Sequence, residues 1–159
     1  MALWTIAEQQ QIKPLDLNST NKFKQLQLEV EANDIVKYIG FEFNQELKRN
    51  LADYTLLLDG GSYTNNGYTY TFAGLKAVCA YLLYARYVAQ CSIIDTASGL
   101  VQHSGDGFQR ISSGELKNQE NRYLEIAGTL WQECVMYLQT QNLEWFPVKS
   151  TTTNRIQWL

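Results

Sequence analysis

Apolar residues recur at helical spacing in four stretches of this chain, and in one stretch they alternate. Phe23, Leu26 and Val30, then Ile35, Val36 and Ile39, keep a period near 3.6 and predict a helix. Leu26, Leu28 and Val30 also alternate, as a strand would, but the continuation to Ile39 favours the helix. Ser19 or Thr20 is placed to cap its start, and Gly40 to cap its end. Phe43, Leu47 and Leu51 predict a second, short helix over residues 42–51. Leu75, Val78, Cys79, Leu82, Ala85 and Ala89 form the inner stripe of a central helix over residues 73–93. Tyr81, Tyr84 and Tyr87 lie largely off that stripe, so the helix is apolar around most of its circumference and must be covered on most sides. Leu116, Tyr123, Ala127, Leu130, Cys134 and Tyr137, widened by Leu124, Val135 and Leu138, predict a long last helix over residues 114–140. Ser112 and Glu115 make a capping box before it, and its length is about 40 Å at 1.5 Å per residue.

The alternating stretch is residues 62–72. Asn66-Gly67 is a strong two-residue hairpin signal, because both residues tolerate positive φ. Such a turn sets Asn65 opposite Tyr68, Thr64 opposite Thr69, Tyr63 opposite Tyr70 and Ser62 opposite Thr71. One face is then aromatic (Tyr63, Tyr68, Tyr70, Phe72) and the other hydroxylic (Ser62, Thr64, Thr69, Thr71). Asp59-Gly60-Gly61 and Gly74 bracket the hairpin. A lone two-stranded hairpin is marginal in water. Its aromatic face must lie on this chain's helices or on another molecule.

The remaining stretches carry weaker patterns. The first eighteen residues read as an arm: Trp4 and Ile6 are apolar, Gln9 to Gln11 are polar, and Pro14 blocks a helix across the segment. Residues 54–58 read as a short apolar link. Residues 96–111, with Gly99, Gly105 and Gly107 among Leu100, Val101 and Phe108, read as a long glycine-rich loop. Residues 142–159 form a polar tether carrying Trp145-Phe146 and ending in Ile156, Trp158 and Leu159. The expected fold is mainly α. It is a small helical bundle in one domain (residues 1–141), with one long C-terminal helix, an inserted β-hairpin and extended terminal arms, the C-terminal one being residues 142–159.

Composition narrows the function. A chain of 159 residues can bury a real core. Only 18% of its residues are charged while 13% are aromatic, a balance that enzymes can show and that also suits subunits burying their sides in a complex. The net charge of −3 and the absence of a basic run disfavour gripping nucleic-acid phosphates. The most apolar run, residues 77–94, is broken by Arg86 and Gln90 and is too polar to span a membrane. The N-terminus lacks the charged and apolar regions of a signal peptide. Three scattered cysteines read as packed thiols in a reducing compartment.

Candidate chemistry is sparse. His103 is the single histidine, and with Asp106 three residues on it has the pattern of a general base and its orienter. No nucleophile signature, HExxH pair, phosphate loop or dinucleotide fingerprint accompanies it. One histidine and three separated cysteines do not make a metal shell at usual spacing. The expectation is therefore no enzyme, no metal and no cofactor. Tyr81, Tyr84 and Tyr87 are either core (or the surface beneath the hairpin) or a subunit contact. The apolar clusters of the tail favour insertion into a partner.

The segments Asp-Ile-Val-Lys-Tyr-Ile-Gly (34–40), Leu-Leu-Asp-Gly-Gly-Ser-Tyr (57–63) and Gly-Leu-Lys-Ala-Val-Cys-Ala-Tyr-Leu-Leu-Tyr-Ala-Arg-Tyr-Val (74–88) stand in an order that resembles a phage family. The sequel fits too: Thr-Ala-Ser-Gly-Leu-Val (96–101), a glycine loop and a long helix ending Tyr137-Leu138. The chain resembles head–tail connector (adaptor) proteins of tailed phages from Bacteroides-type hosts, of the crAss-like kind, over residues 32–138. The resemblance implies a structural subunit made in the host bacterial cytoplasm and built into the virion. It would sit in a twelve-fold ring between the portal protein and the next tail or ring protein, with DNA passing through unread. The interface would draw on Tyr63, Tyr68, Tyr70 and Phe72 of the hairpin and Tyr81, Tyr84 and Tyr87 of the central helix. Leu100, Val101 and Phe108 of the loop and Trp145, Phe146, Ile156, Trp158 and Leu159 of the tail would complete it. The alternatives are a monomeric binding or regulatory domain, and a phage enzyme using His103 and Asp106. Removing residues 148–159 is expected to leave a folded subunit that no longer captures its neighbour in a pull-down, whereas undiminished capture would remove the tail from the interface.

Overall fold

The computed structural model of the chain describes residues 2–15, 20–90, 93–96, 99–102 and 113–141. Helix α1 (Ile6–Ile12) is followed by α2 (Thr20–Glu29), a π turn (Val30–Asp34), α3 (Ile35–Ile39) and α4 (Phe41–Arg49). A 3-10 turn (Leu51–Tyr54) and α5 (Thr55–Asp59) lead into the hairpin β1 (Gly61–Asn65) and β2 (Tyr68–Phe72). The central helix α6 (Leu75–Gln90), a second hairpin β3 (Ile93–Thr96) and β4 (Gly99–Gln102), and the long helix α7 (Ser113–Thr140) complete the order. The fold is mainly helical, with one antiparallel hairpin inserted ahead of the central helix and one long helix near the C-terminus.

Helix α6 is the element around which the others pack. Leu75, Ala77, Val78, Cys79, Ala80, Leu82, Leu83 and Ala85 are all buried, which leaves little of its circumference facing water. α7 packs along it, with α1, α2, the π turn and α5 around the other sides. Ala127, Trp131, Cys134 and Leu138 form the buried stripe of α7. The period of 3.6 places Ala127, Trp131, Cys134 and Leu138 on one side of that helix.

The N-terminal residues differ from the expected arm. Trp4 is 1% exposed and meets Phe23 edge-on at 6.4 Å. Thr5 and Glu8 form a capping box, so α1 starts there and ends at Ile12, two residues ahead of Pro14. The proline therefore limits the helix without forbidding it. The glutamine run that looked solvated supplies the anchor. The Trp4 indole N–H donates to Gln9 Oε1 at 3.1 Å, and the Gln9 amide donates to the carbonyls of Lys13 (2.9 Å) and Ala80 on α6 (3.2 Å). The Gln27 amide donates to the Trp4 carbonyl, and the Leu3 N–H donates to Glu31 Oε1 at 2.9 Å. The other Glu31 oxygen takes Lys48 at 2.9 Å. Buried amides and a buried carboxylate are tolerable because each is bonded.

The π turn was not foreseen. Its wider ring, closed by the Ile35 N–H on the Val30 carbonyl, lets both Val30 and Glu31 face the interior. Asp34 then reaches Arg86 of α6 through two bonds of 2.5 and 3.0 Å, and Glu29 reaches it at 3.1 Å. That bidentate pair ties the α2–α3 layer to the central helix. Residues 54–58, expected as a link, are helical because Leu57 and Leu58 turn into the core. α6 ends three residues earlier than expected, and part of the expected loop 96–111 is strand: β3 and β4 pair from Ile93 opposite Gln102 to Thr96 opposite Gly99. Trp4→Ala is expected to lower stability by about 3–5 kcal/mol in a urea titration, the range for emptying a large aromatic site; a loss below about 0.5 kcal/mol, the surface norm, would return the N-terminus to a loose arm.

Candidate interaction surface

The first hairpin stands on a narrow neck. Gly60 (φ +77) and Gly74 (φ +82) lie against one another's backbones, and a Cβ on Gly60 would come within 2.5 Å of Phe72 O and Ala73 C. Only glycine allows the two legs to pass this closely. Just outside the neck, Lys76 bonds Asp59 at 2.5 Å and Glu8 of α1 at 2.6 Å, so one ammonium holds both legs and the N-terminal helix together. Burial lifts the Glu8 carboxyl, but hydrogen bonds from Lys76 and Thr5 outweigh it and hold the group below its usual 4.5. Burial likewise depresses Lys76, yet its bonds to Asp59 and Glu8 keep it above 10.5.

The hairpin register is the expected one throughout, from Ser62 opposite Thr71 to Asn65 opposite Tyr68, with Asn66 (φ 50) and Gly67 (φ 81) in the turn. Its aromatic face is graded from buried to bare. Phe72 at the base is buried and stacks on Tyr137 of α7 at 4.7 Å. Tyr63 meets Tyr137 at 5.4 Å, Phe72 at 5.8 Å and Tyr70 at 5.5 Å. Burial raises the Tyr63 and Tyr137 hydroxyls above their usual value of 10. Towards the tip, Tyr70 is 40% exposed and Tyr68 is 70% exposed. Tyr63, Asn65 and Tyr70 face Met136, Gln139 and Thr140 across an open cleft of about 230 Å³. No charged side chain lines it. Met136 is itself 46% exposed, so the tip and the last turns of α7 make one uncharged, aromatic surface.

Several expected interface residues belong instead to the chain's own packing. Phe72 is part of the core, and Tyr63 is half covered by Tyr137, because the neck lays the base of the hairpin on α7. The hairpin does not lie over the tyrosines of α6. Tyr81 and Tyr84 pack on Tyr123 of α7 at 6.4 and 4.5 Å, and Tyr84 tilts against Tyr87 at 5.9 Å. The Lys13 ammonium sits 4.4 Å from the Tyr84 ring and Lys22 sits 6.0 Å from Tyr87. These half-buried rings are held from within the subunit. Leu100 and Val101 fall on β4. His103, Asp106, Phe108, Trp145, Phe146, Ile156, Trp158 and Leu159 lie outside the described residues.

Cys79 and Cys134 are buried and free, and burial pushes the Cys134 thiol up to about 12 and Cys79 well above its usual value. Such thiols are packing groups, not nucleophiles. Among the described residues no three His, Cys, Asp or Glu side chains gather as a metal shell, and no helix is long and apolar enough to cross a membrane. What the surface can do is bind: large rigid rings with polar tips, uncharged and firmly seated, are the chemistry of a protein contact.

The model of a family of unknown function, DUF6712, matches residues 35–155. No curated protein matches the chain, and no solved structure matches it. The matched stretch takes in the hairpin, α6 and α7 and runs on past the last described residue.

The Lys76 triad gives a signed pH dependence. Its Glu8 contribution is complete above pH 4.5 and is lost as pH falls through the lowered folded value. Its Lys76 contribution is complete below pH 10.5 and is lost as pH rises through the raised one. Lys76→Met is expected to lower the urea midpoint at pH 7 and to lose much of that difference near pH 3; a difference constant across that range would show that the triad adds nothing electrostatic.

Proposed function

This chain belongs to the DUF6712 family, and we propose that it is a structural head–tail connector subunit, one copy of a ring between a phage portal and tail through which DNA passes. The observation that carries the reading is the hairpin tip. Tyr68, 70% exposed, and to a lesser degree Tyr70, 40% exposed and stacked on Tyr63, project from a neck braced by Gly60, Gly74 and the Lys76 triad. A chain that has buried Trp4, Phe43 and Phe72 has enough core to shelter rings, yet leaves Tyr68 mostly bare and Tyr70 partly so. A heterologous ring contact uses such a projection, since one face of each copy meets the opposite face of the next. The resemblance of residues 34–40, 57–63 and 74–88 to tailed-phage adaptors supports the same reading, as does the net charge of −3, which suits a passage that DNA slides through without being held.

A monomeric binding domain is the second reading. The coverage of Tyr63, Phe72, Tyr81 and Tyr84 by the chain's own residues favours it, because the uncovered aromatic surface is then small. The two readings separate in solution and in particles. Tyr68→Ser with Tyr70→Ser is expected to leave the melting temperature within about 4 °C of the parent, as exposed positions do. The same pair is expected to abolish ring assembly in native mass measurement and incorporation into virions. A parent chain that is monomeric in both settings would leave the single-domain reading in its place.

A further inference from the structure

The described residues form two β-sheets, each of only two strands, so four strand edges lack a described neighbour: those of β1–β2 and those of β3–β4. Two-stranded sheets are marginal alone and are made stable by a third strand or by packing on a helix; β1–β2 has the second only at its base, where Phe72 and Tyr63 meet Tyr137. In β1–β2 the two-residue turn with positive φ at Asn66 and Gly67 makes Asn65 and Tyr68 a mutually bonded pair. Alternation then turns the N–H and C=O groups of Ser62 and Thr64 outward along one edge, and those of Thr69 and Thr71 along the other. Ser62, Thr64, Thr69 and Thr71 are exposed.

Natural proteins guard open edges with lysine, proline or a bulge. This hairpin has none of them. From Gly60 to Leu75 there is no charged residue and no proline, and the register runs without a bulge. α7 meets β1 through Tyr63 but packs more closely on β2, which leaves the β1 edge as the clearer of the two. Among the described residues, no other element packs closely on β3 or β4. Two residues separate Thr96 from Gly99, so the same alternation turns the backbone groups of Asp95 and Leu100 outward.

We infer that the β1 edge of one copy pairs with the β3–β4 hairpin of the next, forming a four-stranded sheet across the boundary between two copies of this chain. The inference rests on the ring reading and names its contact. The occupant is a second copy because each chain brings one unguarded edge and one unfinished sheet, and a heterologous joint completes both at once. The aromatic tip at Tyr68 and Tyr70 then closes over the joint from its own face.

The test is sedimentation of the full-length chain over a concentration series, with circular dichroism as the check on folding. Thr64→Pro removes an outward N–H that the hairpin's own ladder does not use, and Leu100→Pro does the same on β4. Each alone is expected to weaken association about ten-fold or more while the helical signal stays. Thr64→Lys, which keeps the N–H but guards the edge with charge, repeats the first arm should the proline unsettle the hairpin. Mixing the Thr64→Pro and Leu100→Pro chains is expected to yield a one-to-one dimer that grows no further, since each retains the half that the other lacks. A dimer formed by either variant alone would mean that like hairpins pair with like, and a mixture that stays monomeric would mean that the two halves do not meet; each overturns the inference. A parent oligomer indifferent to both prolines overturns it as well and leaves the ring standing, and loss of association through Thr71→Pro but not Thr64→Pro overturns the choice of edge. A parent chain that never associates overturns ring and joint together.

Discussion

The rest of the structure depends on the need to cover α6. Eight of its sixteen residues are buried apolar side chains spread around the helix, so no single partner surface can shelter them. α7 takes one side, the π turn and α2 another, and α1 reaches a third through the Gln9 amide on the Ala80 carbonyl. Burial of apolar area drives this arrangement, and the ion pairs orient it. Arg86 with Asp34 and Glu29 sets the angle of the α2–α3 layer, and Lys76 with Glu8 and Asp59 sets the start of α6 against α1 and the neck. Partly exposed pairs of this kind contribute little energy each, but they fix which layer lies where.

Because α6 is covered from within, the described residues offer the hairpin no further core. Phe72 and Tyr63 find Tyr137 at the end of α7, and beyond them the sheet runs out over solvent. The glycine neck makes that overhang rigid in direction: the two legs cross where a Cβ would meet backbone, so the hairpin cannot fold down over α6 without breaking the crossing. A short, uncharged, aromatic projection held this firmly is costly in isolation, and on the proposed reading an assembly is what covers it. The link from sequence to function therefore runs through an energetic imbalance, with a satisfied helical core beside an unsatisfied sheet.

The helices and the hairpin were legible because each carries a local signal. Asn66-Gly67 alone fixes the register of β1 on β2, and the 3.6 period marks α6 and α7 to within a few residues. What escaped was set by tertiary contacts. Gln9 reads as polar until its amide is seen to bridge Trp4 and the α6 backbone, so α1 looked like an arm. The π turn depends on Glu31 and Asp34 being needed on particular sides, for Lys48 and Leu3 and for Arg86, and no period announces that. Trp131 was passed over although it lies one turn from Ala127 and Cys134 on the same stripe of α7, where Tyr38 packs on it at 5.5 Å. The aromatic face of the hairpin was read correctly as a face, but its gradient was not, since nothing in an alternating pattern tells which end lies on a neighbour.

Amide hydrogen exchange, followed from the dilute chain to the assembled one, reads the imbalance most directly. The account predicts that α6 amides exchange slowest and equally slowly in both states, while the outward amides of Ser62 and Thr64 exchange fast when dilute and slow sharply on assembly. Hairpin amides that are already as protected as α6 in the dilute chain, or that stay fast in the assembled one, would contradict it.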